Sequence, residues 1–177
     1  MPTLEDVIRG RRSIRRYAPE DVTDAVLLEV LDMARHAPSS MDGQPWRFVV
    51  VRERATRARI AAIKNLHCPA EKRAYSADFL LEAPVIVLVG VERERSYGRG
   101  RESAILATGT LLLAAHAKGL AGVYLSASDD GTLAAELAAL LELPGSIEPV
   151  TLVALGHPAE TPAPRRLRPL SEMLLNA

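Results

Sequence analysis

The stretch RRSIRRY, Arg11 to Tyr17, sets four arginines around one serine, and no acidic residue lies between Val7 and Pro19. Guanidinium groups fork onto phosphate or carboxylate oxygens, and Ser13 adds a hydroxyl donor, so these residue types at this spacing can hold an anion. The competing reading is a solvated basic turn that pairs with Glu20, Asp21 or Asp24. On composition alone it is the commoner of the two, because charge runs are usually solvated faces.

A second basic set shifts that balance. In PRRLRPL, Pro164 to Leu170, Arg166 and Arg168 alternate on an extended, proline-stiffened segment, where alternate residues point the same way and can grip one group together. Two basic clusters at opposite ends of the chain suit one polyanionic ligand, shared within the fold or between subunits; they are otherwise separate solvated patches. The loop APSSMDGQPWRF is the third candidate. Ser39, Ser40 and Gln44 sit between Pro38 and Pro45 and offer short donors and acceptors to the polar edge of a planar ring, or else form an ordinary turn feeding a strand. Trp46 reads as core more readily than as a stacking platform.

Other chemistries find little support. There is no G-x-S-x-G, and Cys68 has only His67 beside it. Asp129 and Asp130 precede Gly131 as a turn and helix start would, and His36, His67, His116 and His157 are too scattered for a metal. No glycine-rich nucleotide loop follows a strand. Any enzymatic chemistry is therefore expected from a bound cofactor. The chain carries 22 basic and 22 acidic residues, which argues against a general attraction to nucleic acid or anionic membrane. With 177 residues, 48% of them hydrophobic, one domain spanning 1–177 is expected. The single cysteine fits a reducing, cytoplasmic setting; MPTLEDVIRG lacks a signal-peptide core, and the apolar runs are too short to span a bilayer.

The elements that must position these residues follow from periodicity. Thr3 with Asp6 predicts a capped helix from about Leu4 to Arg11, with Leu4, Val7 and Ile8 on one face. A second helix starts near Thr23 and stops at Pro38. WRFVVV and PVIVLVGV read as buried strands, with a helix from Ala55 to Lys64 between them and an irregular polar segment from Asn65 to Phe79. Glu102 to Lys118 is apolar nearly all round, which predicts a helix buried on most sides, with Gly119 ending it. A short strand VYLSA, a helix from Thr132 to Leu141, a strand from Val150 to Gly156 and an extended tail complete an α+β layer architecture.

Four segments, RRSIRRY, APSSMDGQPWRFVVV, LLLAAHAKGLAG and ALGHPAETPAPRRLRPL, in this order resemble the nitroreductase family of flavoproteins across most of the chain. The resemblance implies an α+β nitroreductase-like fold with a central mixed or antiparallel sheet surrounded by helices. It also implies a homodimer holding one FMN in each of two pockets lined by both chains. NAD(P)H would reduce the flavin and depart, and a nitroaromatic, quinone or other electron-poor acceptor would take its place. Hydride passes through flavin N5, so no protein acid or base is implied.

By position, the resemblance gives Arg11, Arg12, Ser13 and Arg15 to the first flavin segment, Arg11 and Ser13 toward the phosphate or ribityl chain and Arg15 toward the ring. Pro38, Ser39 and Ser40, with Gln44, match the loop that one subunit offers to the other's flavin. Leu120, Ala121 and Gly122 pass near the ring, and Arg166 and Arg168 complete the phosphate site. Several positions depart from the family's habit. Asp42 stands for asparagine, Gly109 and Thr110 for glutamine and asparagine, Tyr124 for tryptophan and His157 for tyrosine. They leave open a relative with other chemistry, such as flavin fragmentation or reductive dehalogenation, and a flavin-binding module without turnover. A nucleic-acid binder ranks last.

Overall fold

The computed structural model describes residues 2–68, 76–128 and 131–175. The turn expected at Asp129 and Asp130, and positions 69–75 of the polar segment, lie outside them. Helix α1 (Leu4–Gly10) starts as the sequence predicts: the Thr3 hydroxyl accepts from the Asp6 N–H at 3.2 Å, and the Asp6 carboxylate accepts from the Thr3 N–H at 2.9 Å. The Thr3 hydroxyl, which donates to the Asp6 carboxylate at 2.7 Å, and then the Thr3 N–H hold the Asp6 carboxyl below its usual value. Its expected apolar face is mostly open, however: Val7 is buried, whereas Leu4 is 73% and Ile8 53% exposed. Helix α2 (Asp24–Ala34), capped by Thr23, buries Leu27, Val30 and Ala34.

Strands β1 (Trp46–Val51), β2 (Val85–Glu92), β3 (Ala121–Ser126) and β4 (Ile147–Gly156) form one sheet in the order β1-β2-β4-β3, with every neighbouring pair antiparallel. The run VIVLVGV is buried on both faces because each face has its own cover. Val85, Val87, Val89 and Val91 point to the side of α2 and of α4 (Gly100–Ala117). Ile86 and Leu88 point to the side of α3 (Arg54–Leu66), α5 (Thr132–Leu140) and the short turn carrying Phe79 and Leu80. This alternation is the period-two signature of a strand. Trp46 is buried on the α2 and α4 side, as expected of a core residue.

Helix α4 differs from its expectation. It covers a sheet face with Ala104, Ala107, Leu111 and Ala115, but its outer face is uncovered, with Ile105 44% and Leu106 47% exposed. An apolar helix needs cover on all sides to be buried on all sides, and among the described residues nothing covers Ile105 and Leu106. Among the described residues no helix is long and apolar enough to cross a membrane.

The segment after α1 ties both ends of the chain to the β3 side of the sheet. Ser13 bridges Gly122 in parallel, Ile14 N donates to Gly122 O at 3.2 Å, and Ala18 N donates to His157 O at 2.9 Å. Buried Tyr17 anchors the run by donating its hydroxyl to Ile14 O at 2.7 Å, and burial pushes its phenol pKa up. Ile14 and Tyr17 therefore face inward, which leaves the arginines on the accessible sides.

Candidate functional site

Arg11 is the C-cap of α1 and already has extended backbone, so the chain leaves the helix as a strand-like run whose neighbours face opposite ways. On one side, Arg11 and Ser13 line a cleft of about 370 Å³ whose floor is Ile105, Thr108, Gly109 and Leu112 of α4 and whose end wall is Tyr124 of β3. On the other side, Arg12 lines a separate hollow with His116, Leu120 and Ala121. The arginine run is thus divided between two faces. Arg12 is occupied locally: its Nη1 donates to the carbonyls of Arg9 at 2.6 Å, Arg11 at 3.0 Å and Gly10 at 3.3 Å, closing the end of α1.

The electrostatics decide between the two readings of RRSIRRY. Asp21 and Asp24 are engaged by Arg52, at 3.1 and 2.7 Å, and Glu20 lies beside His157. None of them reaches the arginine run. Glu160 does reach it, but through backbone: its carboxylate accepts from the N–H groups of Arg15 at 2.6 Å and Arg16 at 3.2 Å. Among the described residues, no ion pair engages Arg11, Arg12 or Arg165. The Arg11 guanidinium has its pKa lowered by burial and then by the charges of Arg165 and Arg12. Burial and the charges of Arg11 and Arg12 likewise lower the His116 pKa, which keeps that ring neutral at pH 7. Among the described residues the Arg11, Arg12 and Arg165 guanidiniums form a half-buried positive field with no carboxylate paired to them, and an anion in the cleft would satisfy it.

The other predicted residues are placed as follows. Arg15 is exposed and leans over the Phe79 ring, 5.9 Å from guanidinium carbon to ring centroid. Gly122 is needed for close approach to β4, because a Cβ there would meet Ala154 O at 2.6 Å. In the tail it is Arg165 that touches the arginine run, donating to Arg11 O at 3.1 Å. Arg168 pairs with Glu172 at 3.0 Å, and Arg166 is exposed.

The loop of Pro38, Ser39, Ser40 and Gln44 is held in a costly backbone shape. Met41, Asp42 and Gln44 all have positive φ, at 51°, 50° and 47°, a region that residues other than glycine seldom occupy. Ser39 Oγ accepts from Gln44 N at 3.0 Å, and Gln44 Nε2 donates to Asp42 at 3.1 Å. The outer clamp is Arg95, whose Nε donates to Gly43 O at 3.0 Å. This loop feeds β1, at the sheet edge opposite β3. Three inter-strand spacings, roughly 14 Å, separate the two edges, so one chain does not bring the loop to its own cleft.

Sequence reasoning noticed Arg165 in the second basic cluster and Gly109 as an unusual position but assigned neither to the site, and it missed Arg95 and the rest of the α4 floor. The floor was legible in principle, since positions 105, 108, 109 and 112 recur at helical spacing.

Comparison with known proteins gives this geometry a family. The Nitroreductase family profile matches residues 8–157. NADH dehydrogenase from Thermus thermophilus is 34% identical over 191 residues, covering 93% of this chain and 91% of that one. Iodotyrosine deiodinase from Thermotoga neapolitana is 31% identical over 180 residues, covering 93% of each. A chain from Desulfovibrio desulfuricans solved in complex with FMN superposes with a TM-score of 0.78 at 34% identity, covering 100% of this chain and 98% of that one. The matched span takes in the arginine run, the loop before β1, the α4 floor and all four strands, and on that basis the chain belongs to the Nitroreductase family.

Proposed function

We propose that this chain, as one domain over 1–177 and in the cytoplasm, is an FMN-dependent NAD(P)H oxidoreductase that works as a homodimer on a nitroaromatic, a quinone or a related electron-poor acceptor. The observation that carries the reading is Arg11: half-buried in a cleft with Ser13, pressed by two further guanidiniums and paired with no carboxylate among the described residues. A phosphate is the dianion such a site fits. When bound, FMN supplies the hydride chemistry at its N5.

The chain's own residues bind and orient. Arg11 and Ser13 hold the phosphate end with Arg165 beside them, and Arg166 and Arg168 reach it from the tail once Arg168 exchanges Glu172 for the phosphate. Arg12 stiffens the run by closing α1. Tyr124 and the apolar floor of α4 exclude water from the cleft, and Arg15 places a fixed positive charge where reduced flavin gathers negative charge. Of Leu120, Ala121 and Gly122, Gly122 keeps the β3 backbone close beside the ring, while Leu120 and Ala121 face the hollow on the Arg12 side and back that strand.

The loop with Pro38, Ser39, Ser40 and Gln44 belongs to the cleft of a second copy. Two features support that assignment: the loop stands at the far edge of the sheet from its own cleft, and α4 leaves Ile105 and Leu106 open beside the cleft. A yellow purified protein, bleached by NADH or NADPH and recoloured by a nitroaromatic or quinone, is the expected result. A colourless protein that refuses added FMN would end the reading.

The similarity to an iodotyrosine deiodinase over 93% of both chains favours one second reading, a flavin enzyme of the same fold that acts by reductive dehalogenation. Bound FMN that reduces a halotyrosine but no nitro or quinone acceptor would select it. Bound FMN that neither pyridine nucleotide reduces would select a module without turnover.

A further inference from the structure

Among the 11 glycines, nine have a structural reason to lack a side chain: a positive φ, or a neighbour within 3 Å of where a Cβ would sit. Gly145 has neither but lies in the turn before β4. Gly109 has neither and sits in the interior of α4, where a glycine weakens the helix. A Cβ at 109 would meet nothing within 4 Å. The single chain thus bears the cost of a mid-helix glycine without using the space it creates.

That space is not on a random face. Gly109 is part of the floor of the cleft lined by Arg11, Ser13 and Tyr124, with Ile105 and Leu112 one turn to either side. A floor residue with no side chain lets a flat group lie against the helix backbone, while Ile105 and Leu112 border it and Tyr124 closes the end.

We infer that Gly109 is a specificity-determining residue: it opens a slot in α4 for a planar aromatic ring, and the absence of a side chain there sets which ring the cleft accepts. The inference rests on the proposed function of the same cleft. The ring is either the cofactor's or the acceptor's, and both share the flat, apolar chemistry that the slot fits. A larger side chain at 109 narrows the slot, so glycine at this position widens the range of rings it admits.

The test is Gly109→Ala and Gly109→Leu in the full-length protein, read three ways: thermal unfolding without FMN, FMN affinity, and the KM for a nitroaromatic or quinone acceptor. Gly109→Ala should raise the apo unfolding midpoint by about 1–4 °C, because a helical glycine has been replaced without a clash. It should also weaken ring binding about tenfold, and Gly109→Leu more than that. A loss of FMN affinity assigns the slot to the cofactor; a raised acceptor KM at unchanged FMN affinity assigns it to the acceptor. If both affinities stay unchanged, or only the dissociation of a dimer shifts, the inference is overturned. Failure of wild-type protein to bind FMN at all would instead overturn the underlying reading of the cleft.

Discussion

Gly43→Ala tests the strained loop most severely. A Cβ at this position would lie 2.1 Å from the carbonyl oxygen of Arg95 and 2.9 Å from the Tyr97 ring. The first neighbour is backbone, so it cannot swing aside as a flexible side chain would. Relief needs the loop and the Arg93–Ser96 segment to part by about 1 Å, and that movement also breaks the Arg95 to Gly43 hydrogen bond. Overpacking of this kind costs roughly 1–3 kcal/mol, and a lost charged hydrogen bond about 1–2 more, because the exposed carbonyl regains water. The sum, about 2–5 kcal/mol, corresponds to a fall of roughly 4–20 °C in Tm for a chain of this size. Calorimetry or circular dichroism on Gly43→Ala reads it directly. Gly145→Ala is the control, since a Cβ there meets nothing within 4 Å and the backbone is ordinary. A Gly43→Ala protein melting within a degree of wild type would refute the reasoning, because the loop would then be free to rearrange without cost.

Arg11→Ala should lower FMN affinity about 10–100-fold with little change in stability, whereas Arg12→Ala should cost about 1 kcal/mol of stability through the lost closure of α1; denaturant melts and FMN titration separate the two. Reversing both charges to glutamate should abolish flavin retention, and a double variant that kept its flavin would count heavily against the site. His116 should titrate below its ordinary value. Because its folded-state pKa is lowered, its contribution to stability is intact above the unfolded value of 6.5 and is lost as pH falls through that value toward the folded one. His116→Gln should flatten the stability profile in this window, and FMN binding should raise the His116 midpoint seen by NMR, since an added anion offsets Arg11. Thr3→Ala removes the Thr3 hydroxyl bond to the first turn of α1 and should cost about 1 kcal/mol, measurable as a shifted urea midpoint.

The elements were legible where local physics decides them. Thr3 with Asp6 and the Thr23 cap fixed two helix starts, and seven consecutive apolar residues from Val85 announced a strand covered on both faces. β4 starts three residues before the Val150 expected from the sequence and runs through Pro149, a residue type uncommon in a central strand. The structure accommodates it at a bulge, where the register against β2 shifts between Val89 and Gly90. The exposed side of α4 was not legible, since an apolar pattern cannot say whether its cover belongs to the same chain. The arginine run was visible as an anion-binding set, but its division was not. That Arg11 and Ser13 face one cleft and Arg12 another depends on the bridge from Ser13 to Gly122, a contact between residues more than a hundred positions apart. The same holds for Arg165, which reaches Arg11 only because the tail returns along the β3 side through Ala159 and Glu160.

The central claim is that Arg11 and its neighbours hold a phosphate. Titrating the flavin-free full-length chain with FMN and with riboflavin, which lacks the phosphate, measures it directly. Wild type should bind FMN at least tenfold more tightly than riboflavin, and Arg11→Ala should erase most of that difference. Equal affinity for the two flavins, or a preference for FMN that survives Arg11→Ala undiminished, would contradict the account.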